Sequence, residues 1–136
     1  MGMDLSGPGG EFWWDFFRWP KLLRIALRHG WEPAGTLLPL VETVEFPEED
    51  WDGGYVSNDH QLVTAEDAAA LADALERALP TISDTVTLTD AERDQWEPTD
   101  ETERAASDLR SLSGPVWKAA IREFIEFCRA GGFTIG

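Results

Sequence analysis

The chain has 136 residues, 43% of them hydrophobic, with seven tryptophans and a formal charge of −15. Such a length and composition exclude a disordered acidic tail and fit one domain, residues 1–136, with an ordinary hydrophobic core. The charge disfavours direct binding to nucleic acid or to an anionic membrane, because phosphate would meet carboxylates.

Met1–Gly10 ends glycine-rich and reads as a loop or short strand, without the basic, apolar and small-residue succession of a signal peptide. "EFWWDFFRWP" then gathers six aromatics between Phe12 and Trp19. As a helix, these rings leave only Asp15 and Arg18 as a polar side. As a strand, Phe12, Trp14 and Phe16 share one face and Trp13, Phe17 and Trp19 the other. Both faces are apolar either way, so the segment is expected to anchor the core or, where exposed, to serve a homodimer or partner interface.

Pro20 opens a helix whose apolar stripe is Leu22, Leu23, Ala26 and Leu27. Gly30 is its left-handed terminator, with Trp31 folding back. After the turn "EPAGT", the segment "TLLPLVETVEF" has strand character interrupted by Pro39. "PEEDWDGG" is an acidic loop, and Tyr55-Val56 is expected to pair with Gln61-Leu62-Val63 as a hairpin across Ser57–His60. Thr64 caps the next helix, Asp67 reaching back to it, and Ala68, Leu71, Leu75 and Leu79 follow at helical spacing.

Further on, Val86 and Leu88 have the character of a short strand, and Thr89 with Glu92 fits a capping box for a turn or two of helix through Trp96. Asp100 starts a helix carrying Leu109 and Leu112 that closes at Gly114. Pro115 starts another, with Trp117, Ala120, Ile121, Phe124, Phe127 and Cys128 on its apolar face. Gly131-Gly132 ends it, and Phe133-Thr134-Ile135 adds a terminal strand. The expected fold class is therefore α+β, mainly helical with a small antiparallel sheet. No apolar run approaches the roughly 20 residues needed to span a bilayer. The lone Cys128 permits no internal disulfide and suits a reducing, cytoplasmic setting.

The negative charge is concentrated. Met1–Phe46 holds six acids and four bases, Pro47–Arg104 seventeen acids and three bases, and Ala105–Gly136 three acids and four bases. An acidic middle third of net −14 is expected to attract basic protein surfaces, with Glu48, Glu49, Asp50, Asp52 and Asp59 as candidate binding residues. The leading expectation is a non-enzymatic protein-binding module, of the kind that masks a basic toxin as an inhibitor or immunity protein does.

Two alternatives come from the same stretch. Glu48, Asp50, Asp52, Gly53 and Asp59 fall at positions 1, 3, 5, 6 and 12 of a calcium-loop spacing, where a hard cation needs oxygen ligands and a sharp bend. Glu at position 1, the short Asp at position 12 and the absence of flanking helices depart from that pattern. Asp59 and His60 are the other candidates, as the acid and base of an enzyme site. No catalytic residue is assigned, since no nucleophile stands beside His60 and no Walker loop, nucleophile elbow or dinucleotide fingerprint occurs. His29, His60 and Cys128 lack transition-metal spacing, so no cofactor other than calcium is implied.

Three pieces carry a resemblance: "GWEPAGT" at 30–36, "YVSNDHQLVTAEDAAALADALERAL" at 55–79 and "FIEFCRAGGFTI" at 124–135. In these the chain resembles a group of small uncharacterised bacterial proteins, sharing G-W-x-P-x-G-T and Y-x-S-N-D-x-Q-x-V-x-x-E-D-A. The resemblance covers under half of the chain and implies one compact domain in a bacterial cytoplasm, with no activity attached. Members often have glycine where this chain has His60, which implies a tight left-handed turn there.

Overall fold

The structure, a computed structural model, describes residues 2–38, 52–94 and 97–136. Strands β1 (Gly2–Gly7) and β2 (Gly10–Asp15) form a hairpin turned by Pro8 and Gly9. Helix α1 (Trp19–Arg28) follows, then β3 (Gln61–Val63) and α2 (Ala65–Ala78), which runs into a single 3-10 turn. The short α3 (Asp90–Arg93), α4 (Glu101–Ser111), α5 (Pro115–Arg129) and β4 (Phe133–Ile135) complete the chain. The sheet is antiparallel throughout, in the order β2-β1-β4-β3, and Leu37 adds one bridge outside β3 at Leu62. Five helices among the described residues and this small sheet make the fold α+β and mainly helical.

Helix ends obey local chemistry. Pro20 sits in the first turn of α1, and Gly30 closes it at φ +96°. The Trp31 amide then donates to Ala26 O at 3.0 Å, and Gly30 N to Leu27 O at 3.5 Å, the paired bonds of a Schellman end. Thr64 accepts from Asp67 N ahead of α2, Asp100 accepts from Glu103 N ahead of α4, and Thr89 with Glu92 forms a reciprocal capping box on α3. Pro115 opens α5 directly after Gly114, which has φ +98°.

Four local expectations are corrected. Leu27 is exposed, because the buried stripe of α1 runs through Leu22, Ile25 and Ala26. Residues 55–56 do not pair with Gln61–Val63; β3 has β4 on one side and Leu37 on the other, so both its edges are taken. Val86–Leu88 forms no strand. Its neighbourhood is instead tied to the α4–α5 junction, Thr87 N donating to Ser113 Oγ and Gly114 N to Ser83 O. The Asp67 carboxylate does not return to its cap residue but turns to partners in the loops before it.

Alternation in the strands sorts the two faces of the sheet. Met3 and Leu5 of β1, Trp14 of β2, Val63 of β3 and Phe133 and Ile135 of β4 are buried. Helices α1, α2 and α5 supply the rest of the core through Leu22, Ile25, Leu71, Leu75, Ile121 and Phe124. Phe124 is the ring hub, with centroids of Phe12, Trp14, Trp19, Phe127 and Phe133 at 5.3–6.0 Å, the range of favourable aromatic pairing. The opposite face carries Asp4, Ser6, Glu11, Trp13 and Leu62, all exposed.

Candidate functional site

Ser57–His60 is a turn held by its own side chains. Ser57 Oγ donates to Asp59 Oδ2 at 2.6 Å, and Asp59 N to Gln61 Oε1 at 2.9 Å. Gln61 Nε2 in turn donates to Ser57 O at 2.7 Å, and Asn58 Nδ2 reaches Gly2 O at 3.2 Å. His60 takes φ +60°, with its amide donating to Ile135 O. The left-handed turn read from the sequence is therefore present, and the His60 side chain is exposed. A non-glycine residue in this conformation costs about 1–2 kcal/mol, partly offset by the entropy that glycine loses on folding. His60→Gly is accordingly expected to stabilise the fold by about 0.5–1 kcal/mol, raising the urea midpoint without changing the slope. A drop in that midpoint would assign His60 a packing or binding role that the turn does not explain.

The residues read as a calcium or acidic binding loop fall partly outside the described residues: Glu48, Glu49 and Asp50 do so. Asp52 Oδ1 accepts from Gly54 N at 2.9 Å, and Asp59 is engaged with Ser57. Among the described residues, no group of three or more His, Cys, Asp or Glu side chains could hold a metal ion. His29 Nδ1 lies 2.9 Å from Ile25 O at the end of its own helix. Burial pushes the Cys128 thiol far above its usual range, so it stays protonated.

Asp67 fastens two loops to the start of α2. Its Oδ1 accepts from Trp31 Nε1 at 3.0 Å and from Ala34 N at 3.3 Å, and its Oδ2 accepts from Tyr55 Oη at 2.5 Å. Tyr55 Oη also accepts from Gly35 N at 2.9 Å. Burial and then the Asp67 carboxylate drive the Tyr55 phenol well above its ordinary range, keeping it a donor. Trp31, Tyr55 and Asp67 come from the "GWEPAGT" and "YVSNDHQLVTAEDA" stretches, and here they have a structural task.

A larger cluster joins α1 to α4. Asp108, 0% exposed, accepts from Arg24 at 2.9 and 3.0 Å and from Arg28 at 2.7 Å, with Lys21 Nζ at 3.8 Å. Lys21 is itself only 1% exposed and reaches Glu97 at 3.3 Å. Burial works to raise the Glu97 carboxyl, but bonds from Arg24 and Lys21 outweigh it and hold it below the ordinary range.

The same matching recurs elsewhere. Glu92 pairs with Arg110, Asp84 with Lys118, and Asp73 and Glu76 with Arg129. Acids of the middle third thus serve as counterions to bases of the two flanks. Among the described residues, six of the eleven Lys and Arg residues are in such pairs, Lys21, Arg24, Arg28, Arg110, Lys118 and Arg129, while Arg18 and Arg93 pair locally with Asp15 and Asp90.

Among the described residues, acids outside these pairs occur in both layers, Glu66, Asp94 and Glu103 on or beside helices and Asp4 and Glu11 on the open sheet face. What sets the sheet face apart is that it has no base. The strands contain no Lys or Arg at all; every base sits on a helix or, for Arg18, at the N-cap of α1. Across the ladder Trp13 stands opposite Asp4, and Glu11 opposite Ser6, so two carboxylates flank one indole. Among the described residues neither Asp4 nor Glu11 is in an ion pair. Trp13 is 53% exposed, beside a concavity of about 410 Å³ lined by Asp4, Ser6, Glu11, Trp13 and Gly136. The aromatic block is thereby divided: Trp14 and Trp19 anchor the core, while Trp13 and Phe16 are exposed.

Asp4 and Glu11 escaped the sequence reading, which had Trp13 only as a member of the aromatic block. Their signal was the alternation of Met3-Asp4-Leu5-Ser6 and of Glu11-Phe12-Trp13-Trp14, which becomes legible once β1 and β2 are known to pair. No family model, no curated protein and no solved structure matches the chain.

Proposed function

We propose that the chain is a non-enzymatic acidic module that binds a basic protein partner, as an inhibitor or immunity-type protein masks a cationic surface. The observation that carries this reading is the segregation of charge. The bases lie in the helical layer, mostly neutralised in ion pairs, and the open sheet face presents acids and an indole without a single base. A half-exposed tryptophan, here on a face that no described element covers, is among the side chains most often found at the energetic centre of an interface. A second copy of the chain on this face would bring together two bodies of −15 charge, which favours a cationic partner over a homodimer through Phe12–Trp19. The non-enzymatic reading draws support from His29, Asp59 and Cys128, each engaged in or buried by the fold rather than poised for chemistry. No helix among the described residues is long and apolar enough to cross a membrane.

The test is kinetic. A partner is expected to be basic, and its association rate to fall by roughly ten-fold or more between low and high salt, because screening removes electrostatic steering. A partner with a neutral surface, or an on-rate indifferent to salt, counts against the reading.

A further inference from the structure

We propose that the concavity beside Trp13 receives an arginine side chain of the basic partner, its guanidinium stacked on the indole and bonded by the carboxylates of Asp4 and Glu11. This deepens, and rests on, the reading of the chain as an acidic protein-binding module.

The indole is positioned for the task by what is missing beneath it. A Cβ on Gly2 would lie 2.5 Å from both Nε1 and Cε2 of Trp13. Only glycine therefore lets the ring lie down against β1, leaving the rest of it open to solvent as a platform. The backbone under that ring is itself fastened, since Gly2 O accepts from Asn58 Nδ2. The turn at Ser57–His60 thus buttresses the face without touching the ligand.

Register does the rest. Asp4 lies directly across the ladder from Trp13, and Glu11 is two residues before Trp13 on the same face. Asp4, Glu11 and Trp13 line one space of about 410 Å³, of a size for a subsite that takes one long side chain. A guanidinium matches this set better than an ammonium. Its planar fork stacks on an aromatic ring while donating to carboxylates in its own plane, whereas an ammonium is a compact, strongly hydrated point charge.

The test uses the full chain, labelled with ¹⁵N, and two short Gly/Ser peptides of identical design and charge, one bearing arginines and the other lysines. At low salt the arginine peptide is expected to shift the Trp13 indole N–H and the amides of Gly2, Asp4, Ser6 and Glu11. It should also bind roughly two- to five-fold tighter than the lysine peptide. Trp13→Leu should abolish that preference and Trp13→Phe keep part of it. Asp4→Asn with Glu11→Gln should weaken both peptides. All these side chains are exposed, so thermal melting of the variants serves as the control for folding. Equal affinity for the two peptides, with shifts spread over acids of the helices such as Glu66, Asp94 and Glu103, would overturn this assignment and leave the acidic-module reading standing. No response to either peptide at low salt would overturn both.

Discussion

Asp108→Ala is expected to lower the unfolding free energy by about 3–5 kcal/mol, a shift of roughly 10–15 °C in melting temperature for a chain of this size. The reason is what remains behind. Lys21 is 1% exposed and would be left with Glu97, at 3.3 Å, as its carboxylate partner among the described residues. Arg24 and Arg28 are about a quarter exposed and can turn towards water, Glu97 or Glu101, so their loss is smaller. A buried ion left without its partner is far more costly than a pair removed together. The double variant Lys21→Met with Asp108→Leu should therefore recover most of the stability that Asp108→Ala loses. Equilibrium urea unfolding checks both. A loss below about 1 kcal/mol for Asp108→Ala would mean that water already reaches the cluster.

Asp67→Ala is expected to cost a similar amount, about 3–5 kcal/mol, for a different reason. Three donors converge on this carboxylate: the Trp31 indole, the Ala34 amide and the Tyr55 hydroxyl. Hydrogen bonds to a charged group contribute about 1.5–3 kcal/mol each, and buried donors left unpaired add a desolvation penalty, although the losses are not additive. Tyr55→Phe removes one donor and should cost about 1–2 kcal/mol in the parent chain. In the Asp67→Ala background the same change should be almost silent, because its acceptor is already gone. Independent, additive effects of the two substitutions would show that the loops are held by packing and not by this carboxylate.

Much of the helical half was legible because helix termini are written in neighbouring residues. Pro20, Gly30, Thr64, the Thr89/Glu92 pair, Asp100 and Pro115 all act within one turn of their own position. The turn at Ser57–His60 was legible for the same reason. Asp67 was misread at the same range: a carboxylate three residues after a threonine fits a capping box, yet two aromatic donors from distant loops offered it better partners.

The candidate site was not legible in the same way. Charge was visible as a block between Pro47 and Arg104, whereas its compensation by α1 and α5 depends on contacts across 34 to 76 residues. The acids of the base-free sheet face, Asp4 and Glu11, lie in a part of the sequence with almost balanced charge, so the block gave no sign of them.

By itself, then, the sequence determined the class of fold, the ends of the helices and the left-handed turn, each set by backbone sterics and hydrogen bonds among near neighbours. Tertiary structure alone decided which strands pair, which carboxylates become internal counterions and which indole faces water. Those outcomes follow from burial and from Coulomb attraction between groups far apart along the chain, and no local pattern encodes them.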